Sequence, residues 1–427
     1  MNRKIIVSLA LFASLFGYAQ KNNTSAYSFF GIGDKNSSIS VEQLSMGGVG
    51  VSMNSVYKLN LQNPAASSSL FYTTYALGLE NKNMNVKDGT NKQNAAATYL
   101  SYLSLGMPLG KNVGMYFGLL PNTSVGYSLR SDVFDVDESL MDATLYNGDG
   151  GTHKVFLGMG TQLFKGFRIG VQGNYVFGKI DNSITNQVRD VSLATKYQTL
   201  AQVKGISWTG GFQFESTIKD DLKIHVGGNF EMENELDTKG NEYLYSVSIG
   251  TFESPRDTIL NKKSTGLLRS PLKSTIGIGL GKVNKWFAEI DYSMQNPLEL
   301  EGDVFNSYSK MNYDNYSKFA IGGYYIPKFN SITSYWDRVT YRAGVKFEKT
   351  GLLIDPTGNG TDFTAIDEFG ISFGVGLPMN NPLSNLNVGF EVGKRGKTDN
   401  GLVQENFLNF RLSLSLGDKW FAKKEIF

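Results

Sequence analysis

The sequence contains no cysteine and only two histidines among its 427 residues. Without cysteine there is no disulfide, no thiolate metal site, no cysteine nucleophile and no acylation site for a lipid anchor. Two distant histidines, His153 and His225, are a poor basis for a metal site. No Gly-x-Ser-x-Gly nucleophile motif stands in a suitable context. We therefore expect no enzyme activity, no metal and no cofactor.

The chain also lacks a large charge of either sign and a sustained hydrophobic character. Its formal net charge is +2, which gives no electrostatic footprint for nucleic acid. The mean hydropathy of −0.22 argues against a bundle of membrane-spanning helices. No proline-rich or serine-rich linker divides the chain. Glycine, at 48 residues, and aromatic residues, at 13%, are abundant instead.

A single apolar run opens the sequence. Arg3 and Lys4 precede an apolar stretch, Ile5 to Phe16, and Gly17-Tyr18-Ala19 follows it. This pattern predicts a signal peptide at residues 1–19, cleaved before Gln20. An uncleaved anchor helix is the alternative, but the run is short for a hydrocarbon layer of ~30 Å.

Alternation of apolar and polar residues dominates the rest of the chain. It is strict over about ten residues in several segments, which is typical of transmembrane β-strands. A water-soluble sandwich or solenoid would also alternate, but its strands are usually shorter, about 5–6 residues. Fourteen strands are predicted, near residues 71–82, 95–108, 112–130, 152–164, 166–179, 204–217, 221–234, 271–282, 284–295, 314–325, 338–349, 367–378, 385–395 and 404–416.

The connections alternate between short and long. Short turns occur, for example, at 110–112 and 165–166, whereas the stretches 131–151, 181–203, 236–269, 296–312 and 351–365 are long and polar. Short periplasmic turns and long outer loops are typical of outer-membrane barrels. We therefore expect an all-β, antiparallel transmembrane barrel at 71–416 in the outer membrane of a Gram-negative bacterium. The even strand number predicts that both termini, including a tail at 417–427, are periplasmic.

Residues 20–70 show no alternation and are predicted to form a hatch inside the barrel. A barrel of this size has an open lumen unless another segment fills it. The stretch is rich in glycine at Gly47, Gly48 and Gly50, and it ends in the turn Asn63-Pro64-Ala65. Glycines such as Gly277 and Gly374 on the inward rows of the strands predict sites where another segment approaches the wall closely.

With this order of signal peptide, glycine-rich segment, Asn-Pro-Ala turn and fourteen strands, the chain resembles the FadL/TodX family of outer-membrane transporters for long-chain fatty acids and other hydrophobic molecules. The resemblance implies an N-terminal hatch, capture of ligand by apolar outer loops and lateral release through an inward kink of the third strand. Pro121 and Asn122 are the candidates for that kink, because a proline in mid-strand removes a ladder donor. An ordinary β-bulge without a passage is the alternative.

The expected function is passive uptake of hydrophobic small molecules with lateral release into the membrane. Burial of a tail in a dry pocket supplies ~0.8 kcal/mol per CH₂, which release into the membrane returns. The candidate ligand-binding residues are Phe29, Phe30, Ile32, Leu120, Arg168 and Arg342. The aromatic residues could instead pack the hatch against the wall, and the inward cations could instead form salt bridges.

The expected partners are a hydrophobic small molecule, outer-membrane lipid and lipopolysaccharide, and the barrel-assembly machinery during insertion. Some relatives of this fold serve protein secretion, so the alternative function is a non-transporting partner barrel acting as an accessory or shuttle subunit of a secretion system. A general porin is disfavoured by the large segment left over to block the pore.

Overall fold

The structure is a computed structural model that describes residues 25–89, 91–250, 253–302, 304, 311–381 and 383–420. The predicted signal peptide, residues 20–24 of the predicted hatch and residues 421–427 of the predicted tail lie outside this range. None of the helices in the described chain has the length and apolar character required to cross a membrane.

Fourteen antiparallel strands close into a ring, which confirms the predicted barrel. The ring consists of β2 to β8, β11, β12 and β15 to β19, and it closes where β19 pairs with β2. The strands of the chain are β1 Asp34–Lys35, β2 Thr73–Asp88, β3 Asn91–Pro108, β4 Val113–Phe134, β5 Leu140–Phe164, β6 Phe167–Val188, β7 Ala194–Lys219, β8 Leu222–Glu231, β9 Asn234–Ile249, β10 Glu253–Ser270, β11 Lys273–Lys282, β12 Trp286–Gln295, β13 Glu299–Gly302, β14 Met311–Tyr313, β15 Tyr316–Tyr325, β16 Thr340–Ile354, β17 Thr364–Pro378, β18 Asn385–Arg395 and β19 Gln404–Asp418.

The period of two sorts each strand into a lipid face and a lumen face. In β12, Ile290 and Tyr292 are about half exposed, whereas Glu289 and Asp291, which alternate with them, are almost completely buried. Closure of the ring satisfies the backbone hydrogen bonds that a sheet edge would leave open in lipid. The exposed apolar side chains of the strands therefore form the surface that faces the hydrocarbon.

The barrel wall is much taller on one side. Strands β4 to β7 have 22 to 26 residues, whereas β11, β12 and β15 have 10 each. About 9–11 residues are enough to span a bilayer. The upper parts of β4 to β7, together with the hairpin of β9 and β10, therefore continue beyond the membrane at the end opposite to Thr73 and Asp418. We call residues 126–150, 178–204, 234–250 and 253–270 the extended wall.

The extended wall corrects one expectation. The stretches 131–151, 181–203 and 236–269 were predicted to be long loops, but most of their residues belong to paired strands. The reason is physical: above the membrane neither face of the sheet meets the hydrocarbon of the lipid tails, so the apolar alternation that marks a transmembrane strand is not required there.

The described part of the chain before β2, residues 25–72, is called the N-terminal segment. It contains two short 3₁₀ helices, Ala26–Phe29 and Pro64–Ser69, the short α-helix Val41–Leu44 and strand β1. Its hydrogen bonds reach strands all around the ring: Ala26 N donates to Glu405 of β19 (2.7 Å), Gly50 N to Asp291 of β12 (3.0 Å) and Asn63 Nδ2 to the Gly228 oxygen of β8 (3.2 Å). These contacts place the segment within the ring. Its limits as a domain and its action as a hatch stay predictions.

Candidate functional site

The wall between β3 and β4 is paired only at its base. The ladder begins at Pro108 opposite Gly114 and ends at Leu103 opposite Leu119. Above this point β3 continues on β2, and β4 continues on β5 with a register shift between Pro121 and Thr123. Proline carries no backbone N–H, so it cannot continue a ladder toward β3. The two strands therefore separate next to Pro121, and we call this opening the wall gap.

The N-terminal segment occupies the edge of β4 at the wall gap. The contacts are Asn36 N to the Asn122 oxygen (2.9 Å), the antiparallel pairs of Lys35 with Thr123 and of Asp34 with Ser124, and Gly126 N to Ser28 Oγ (3.2 Å). Gly33 has a φ of +84°, and a Cβ at this position would overlap the Ser124 oxygen. Glycine thus allows the segment to approach the β4 backbone. The edge that β3 leaves unpaired is satisfied from inside the barrel.

Two cavities lie on either side of β1. The gap cavity, of about 110 Å³, reaches Tyr99 and Pro121 at the wall gap. The lysine cavity, of about 160 Å³, lies deeper in the lumen and reaches Lys154 and Lys318. The residues that line both are Lys35, Asn36, Ser37 and Glu348. Strand β1 and the two residues after it therefore separate the lumen from the wall gap.

The gap cavity is charged and electrically balanced. Its lining contains five basic side chains (Lys35, Lys82, Lys346, Arg395, Arg411) and five acidic ones (Asp34, Glu80, Glu348, Glu368, Glu391). Ion pairs join Lys346 to Glu368 (2.7 Å) and Glu391 (2.8 Å), Arg411 to Glu80 (2.9 Å) and to Glu391, and Arg395 to Asp34 (2.9 Å). The lumen cations at these positions thus form a salt-bridge layer, and the side of the wall gap that faces the lumen is polar.

The lysine cavity carries an excess of positive charge. Lys35, Lys154, Lys273 and Lys318 line it with only two acids, Glu231 and Glu348, so its formal charge is 4 − 2 = +2. Lys273 lies 3.8 Å from Glu231, and Lys35 donates to Gln295 (3.0 Å). Among the described residues, Lys154 and Lys318 form no salt bridge. Apolar side chains line the same cavity: Ile32, Val176, Leu236 and Leu268. An anionic head group and an apolar chain could both be accommodated here.

The predicted apolar ligand residues are divided among three places. Phe29 packs on the ring of Tyr127 (5.2 Å between centroids), within the cluster that contains Ile32. Phe30 packs against a different cluster around Tyr27 and also lines a small cavity there. Leu120 is buried among Tyr102, Tyr116 and Phe156. Only Ile32 lines the lysine cavity.

The two predicted arginines lie away from both cavities. The Arg168 guanidinium is 3.6 Å from Glu215, and Arg342 is buried beside Gly376. Neither belongs to the lining of the gap cavity or the lysine cavity. Lys154 and Lys318, which line the lysine cavity, were not among the predicted ligand residues. The sequence held one signal: each is the one lysine among the inward-facing residues of its strand. Lys154 lies two residues before the buried Phe156 of β5, and Lys318 two residues before the buried Ala320 of β15.

The glycine-rich motif and the Asn-Pro-Ala turn make close contacts with the wall. Gly47, Gly48 and Gly50 have positive φ angles of 73°, 81° and 140°. Asn63 caps the second 3₁₀ helix, since its Oδ1 accepts from Ala65 N (3.1 Å) while its Nδ2 donates to the oxygens of Val51 (2.8 Å) and Phe212 (3.0 Å). Pro64 stands at the first position of that helix. Asn63 thus links two parts of the N-terminal segment to each other and links the segment to the wall.

The start of the N-terminal segment is anchored by a buried acid. Ser25 Oγ donates to the Glu405 carboxylate (2.8 Å), as does Ala26 N. Burial raises the pKa of the nearby Tyr27 hydroxyl, the negative charge of Glu405 raises it further, and the hydroxyl donates to the Val403 oxygen.

Of the histidines, His225 lies 3.9 Å from Glu215. The described residues include no group of three or more acids and histidines placed to hold a metal.

Comparisons with known proteins agree with this architecture. The BamG family model matches residues 1–426. None of the curated proteins matches the chain. Solved structures with a similar fold are the toluene transporter TbuX of Ralstonia pickettii (TM-score 0.57, 13% identity, 88% of this chain and 98% of that chain) and a FadL homologue of Pseudomonas aeruginosa (0.56, 11%, 90% and 98%). A third is the toluene transporter TodX of Pseudomonas putida (0.55, 14%, 90% and 98%). The resemblance to FadL-type barrels is confirmed at the level of the fold.

Proposed function

From the premise that the chain belongs to the BamG family, we propose that it is a passive outer-membrane channel for hydrophobic or amphiphilic small molecules, with both termini in the periplasm. Proteins of similar fold are described as toluene transporters. The observation that carries the proposal is the wall gap. There the edge of β4 is not paired with β3 and is paired instead with β1 of the N-terminal segment.

The proposed passage opens when β1 leaves the edge of β4. The contacts with β4 that must break include the two pairs of β1 and the hydrogen bonds of Asn36 N and Ser28 Oγ. The ion pair of Asp34 with Arg395 and the hydrogen bond of Lys35 to Gln295 must break as well. The residues Lys35 to Ser37 stand between the two cavities. Their displacement would join the lysine cavity to the wall gap. A ligand could then leave sideways into the hydrocarbon, which supplies ~0.8 kcal/mol for each CH₂ group removed from water. Such a route needs neither fuel nor a catalytic step.

The lysine cavity supports a more specific proposal, that the cargo includes amphiphiles with an anionic head, such as fatty acids. Ammonium groups bind carboxylates by charge-assisted hydrogen bonds. The apolar residues of the same cavity, Ile32 and Leu268 among them, would contact the chain of the ligand. Arg168 and Arg342 do not line the lysine cavity and are not part of this proposed head-group site.

A reversible crosslink between β1 and β4 tests the proposal. Lys35 and Thr123 are directly opposed in an antiparallel pair, and such Cα atoms are about 4.5–5.5 Å apart, within the range of a disulfide. The variant Lys35→Cys/Thr123→Cys has no other cysteine to mispair with. Oxidised cells are expected to lose uptake of labelled oleate and toluene, and a reductant is expected to restore it.

The matched control is Ile278→Cys/Ile290→Cys, a directly opposed pair on the lipid face of β11 and β12. Its crosslink joins two wall strands and leaves the N-terminal segment free, so uptake should not change. Equal uptake by the oxidised and reduced forms of the β1–β4 variant would contradict the proposed passage.

The second candidate is a partner barrel in protein secretion. Two observations favour it: the wall gap faces a charged cavity, and the extended wall exposes large apolar side chains at its hairpin ends, including Phe134, Val136, Met141 and Val191. Exposed apolar surface beyond the membrane is typical of contact with another protein. A deletion strain separates the candidates. Unchanged oleate and toluene uptake with reduced amounts of other exported proteins would favour the partner barrel.

A further inference from the structure

The outer side of the extended wall carries a groove with a volume of about 610 Å³. Across it, Lys179 of β6, Gln202 of β7 and Lys239 of β9 lie side by side, because Gln202 is directly opposed to both lysines in the strand register. Directly opposed residues share one face of a sheet, and neighbouring strands are about 4.8 Å apart. The two lysines therefore flank the glutamine amide at a separation of two strand spacings.

The groove lies at the height of the lipid head groups. On β6, Lys179 continues the outward row of Tyr175 and Phe177, which are 50% and 37% exposed, while Val176 and Ile180 are buried in the lumen. On β7, the outward row of Trp208 and Ile206 continues through the exposed Lys204 to Gln202. Aromatic side chains mark the membrane interface of β-barrels. Lys179 and Gln202 are therefore among the first polar groups above the hydrocarbon.

The lysines of the groove are available for a ligand. Lys179, Lys239 and Lys263 line it, and they are exposed and form no salt bridge within the described part of the chain. Two acids, Asp149 and Asp181, also line the groove. The Asp181 carboxylate already accepts two hydrogen bonds from the Gln198 amide (2.9 and 3.0 Å). The row of Lys179, Gln202 and Lys239 contains no acid.

We propose that this row binds the phosphate groups of lipid in the outer leaflet of the membrane, of the lipopolysaccharide type. Two ammonium groups and an amide N–H₂ between them offer converging donors to phosphate oxygens. Phe177, two residues from Lys179 on the same face of β6, would contact the start of the acyl chains. The site lies outside the lumen, so it is independent of the proposed transport and is equally compatible with a partner barrel.

Binding of purified lipopolysaccharide to the full chain in phosphatidylcholine nanodiscs tests this site. The double variant Lys179→Gln/Lys239→Gln is expected to bind about tenfold more weakly or worse, since two charge-assisted contacts are lost. Lys282→Gln/Lys285→Gln, which removes two lysines at the opposite end of the barrel, is the matched control and should bind like the parent. Chemically dephosphorylated lipopolysaccharide should bind the parent weakly and should not distinguish the variants.

Both lysines are exposed, so we expect the substitutions to leave folding unchanged. Heat-modifiable gel mobility, which distinguishes the folded from the unfolded barrel, checks this. Equal affinity of the parent and the Lys179→Gln/Lys239→Gln variant for lipopolysaccharide would overturn the proposal. Inorganic phosphate provides the remaining arm. If it competes at the row with the same affinity as the lipid, the site recognises soluble phosphate and the assignment to lipid is wrong.

Discussion

The carboxylate of Asp291, on β12, accepts the backbone N–H of Gly50 at 3.0 Å, deep inside the barrel. Two residues earlier on the same strand, Glu289 accepts from Ser52 N at 2.7 Å. The glycine-rich stretch forms no helix or strand, and its backbone donors at Gly50, Val51 and Ser52 are satisfied by these two wall acids. The sequence motif and the two acids thus form one structural unit.

Removal of the Asp291 acceptor should loosen the glycine-rich stretch. The variant Asp291→Leu leaves the buried N–H of Gly50 without its partner, which costs about 1–3 kcal/mol. Hydrogen exchange of residues 46–54 in the folded barrel is expected to accelerate about tenfold, since ~1.4 kcal/mol corresponds to that factor. Asp291→Asn keeps one acceptor oxygen and should change exchange much less. Identical exchange in the parent and Asp291→Leu would refute this role.

A side chain at Gly344 should push the N-terminal segment away from the wall. A Cβ at this position would overlap the main-chain carbonyl of Met46. Because the obstacle is backbone, Gly344→Ala is expected to lower the free energy of unfolding by about 1–3 kcal/mol. The control is Gly210→Ala, whose Cβ would meet only the end of the Met232 side chain at 3.4 Å. The midpoint of urea unfolding measures both. Equal midpoints would show that the segment yields without cost.

The sequence carried enough information to predict the barrel but not its extended wall. Each transmembrane strand repeats the same contrast, as in β12, where Ile290 meets lipid and Asp291 meets the lumen. Above the membrane water or another polar surface covers both faces, so residues such as Lys179 and Asp181 give no apolar period. Pro121 could be singled out from the sequence because proline removes a donor from any ladder, and its role in a lateral opening stays a prediction.

The candidate site was only partly predictable. Strand β1 is two residues long, and its pairing with Thr123 and Ser124 joins parts of the chain about ninety residues apart. No local pattern encodes such a contact. The lysine cavity likewise depends on the path of the N-terminal segment, which decides whether an inward lysine such as Lys154 faces space or a partner. Phe29 and Leu120 were predicted to contact ligand, and the structure packs both in apolar clusters.

The salt-bridge layer should contribute strongly to the stability of the lumen. Glu391 is 2% exposed and pairs with both Lys346 and Arg411. Glu391→Gln leaves excess buried positive charge, so we expect a loss of about 3 kcal/mol in unfolding free energy. Glu301→Gln, at an exposed pair with Arg269 (3.5 Å), is the control and should have no measurable effect. A midpoint of urea unfolding for Glu391→Gln equal to that of the parent would contradict the prediction.

Replacement of the unpaired lumen lysines should separate binding of the head group from binding of the chain. Lys154→Met/Lys318→Met keeps the aliphatic stems and removes two positive charges from the lysine cavity. Oleate binding to the purified barrel is expected to weaken about tenfold or more, because each lost charge-assisted hydrogen bond is worth about 1.5–3 kcal/mol. Oleyl alcohol, which has the same chain and no charge, should bind both proteins alike. Lys282→Met/Lys285→Met removes two lysines outside this cavity and should leave both affinities unchanged. Parallel losses for oleate and oleyl alcohol would instead indicate a general disturbance of the lumen, and unchanged oleate binding would exclude the cavity as the head-group site.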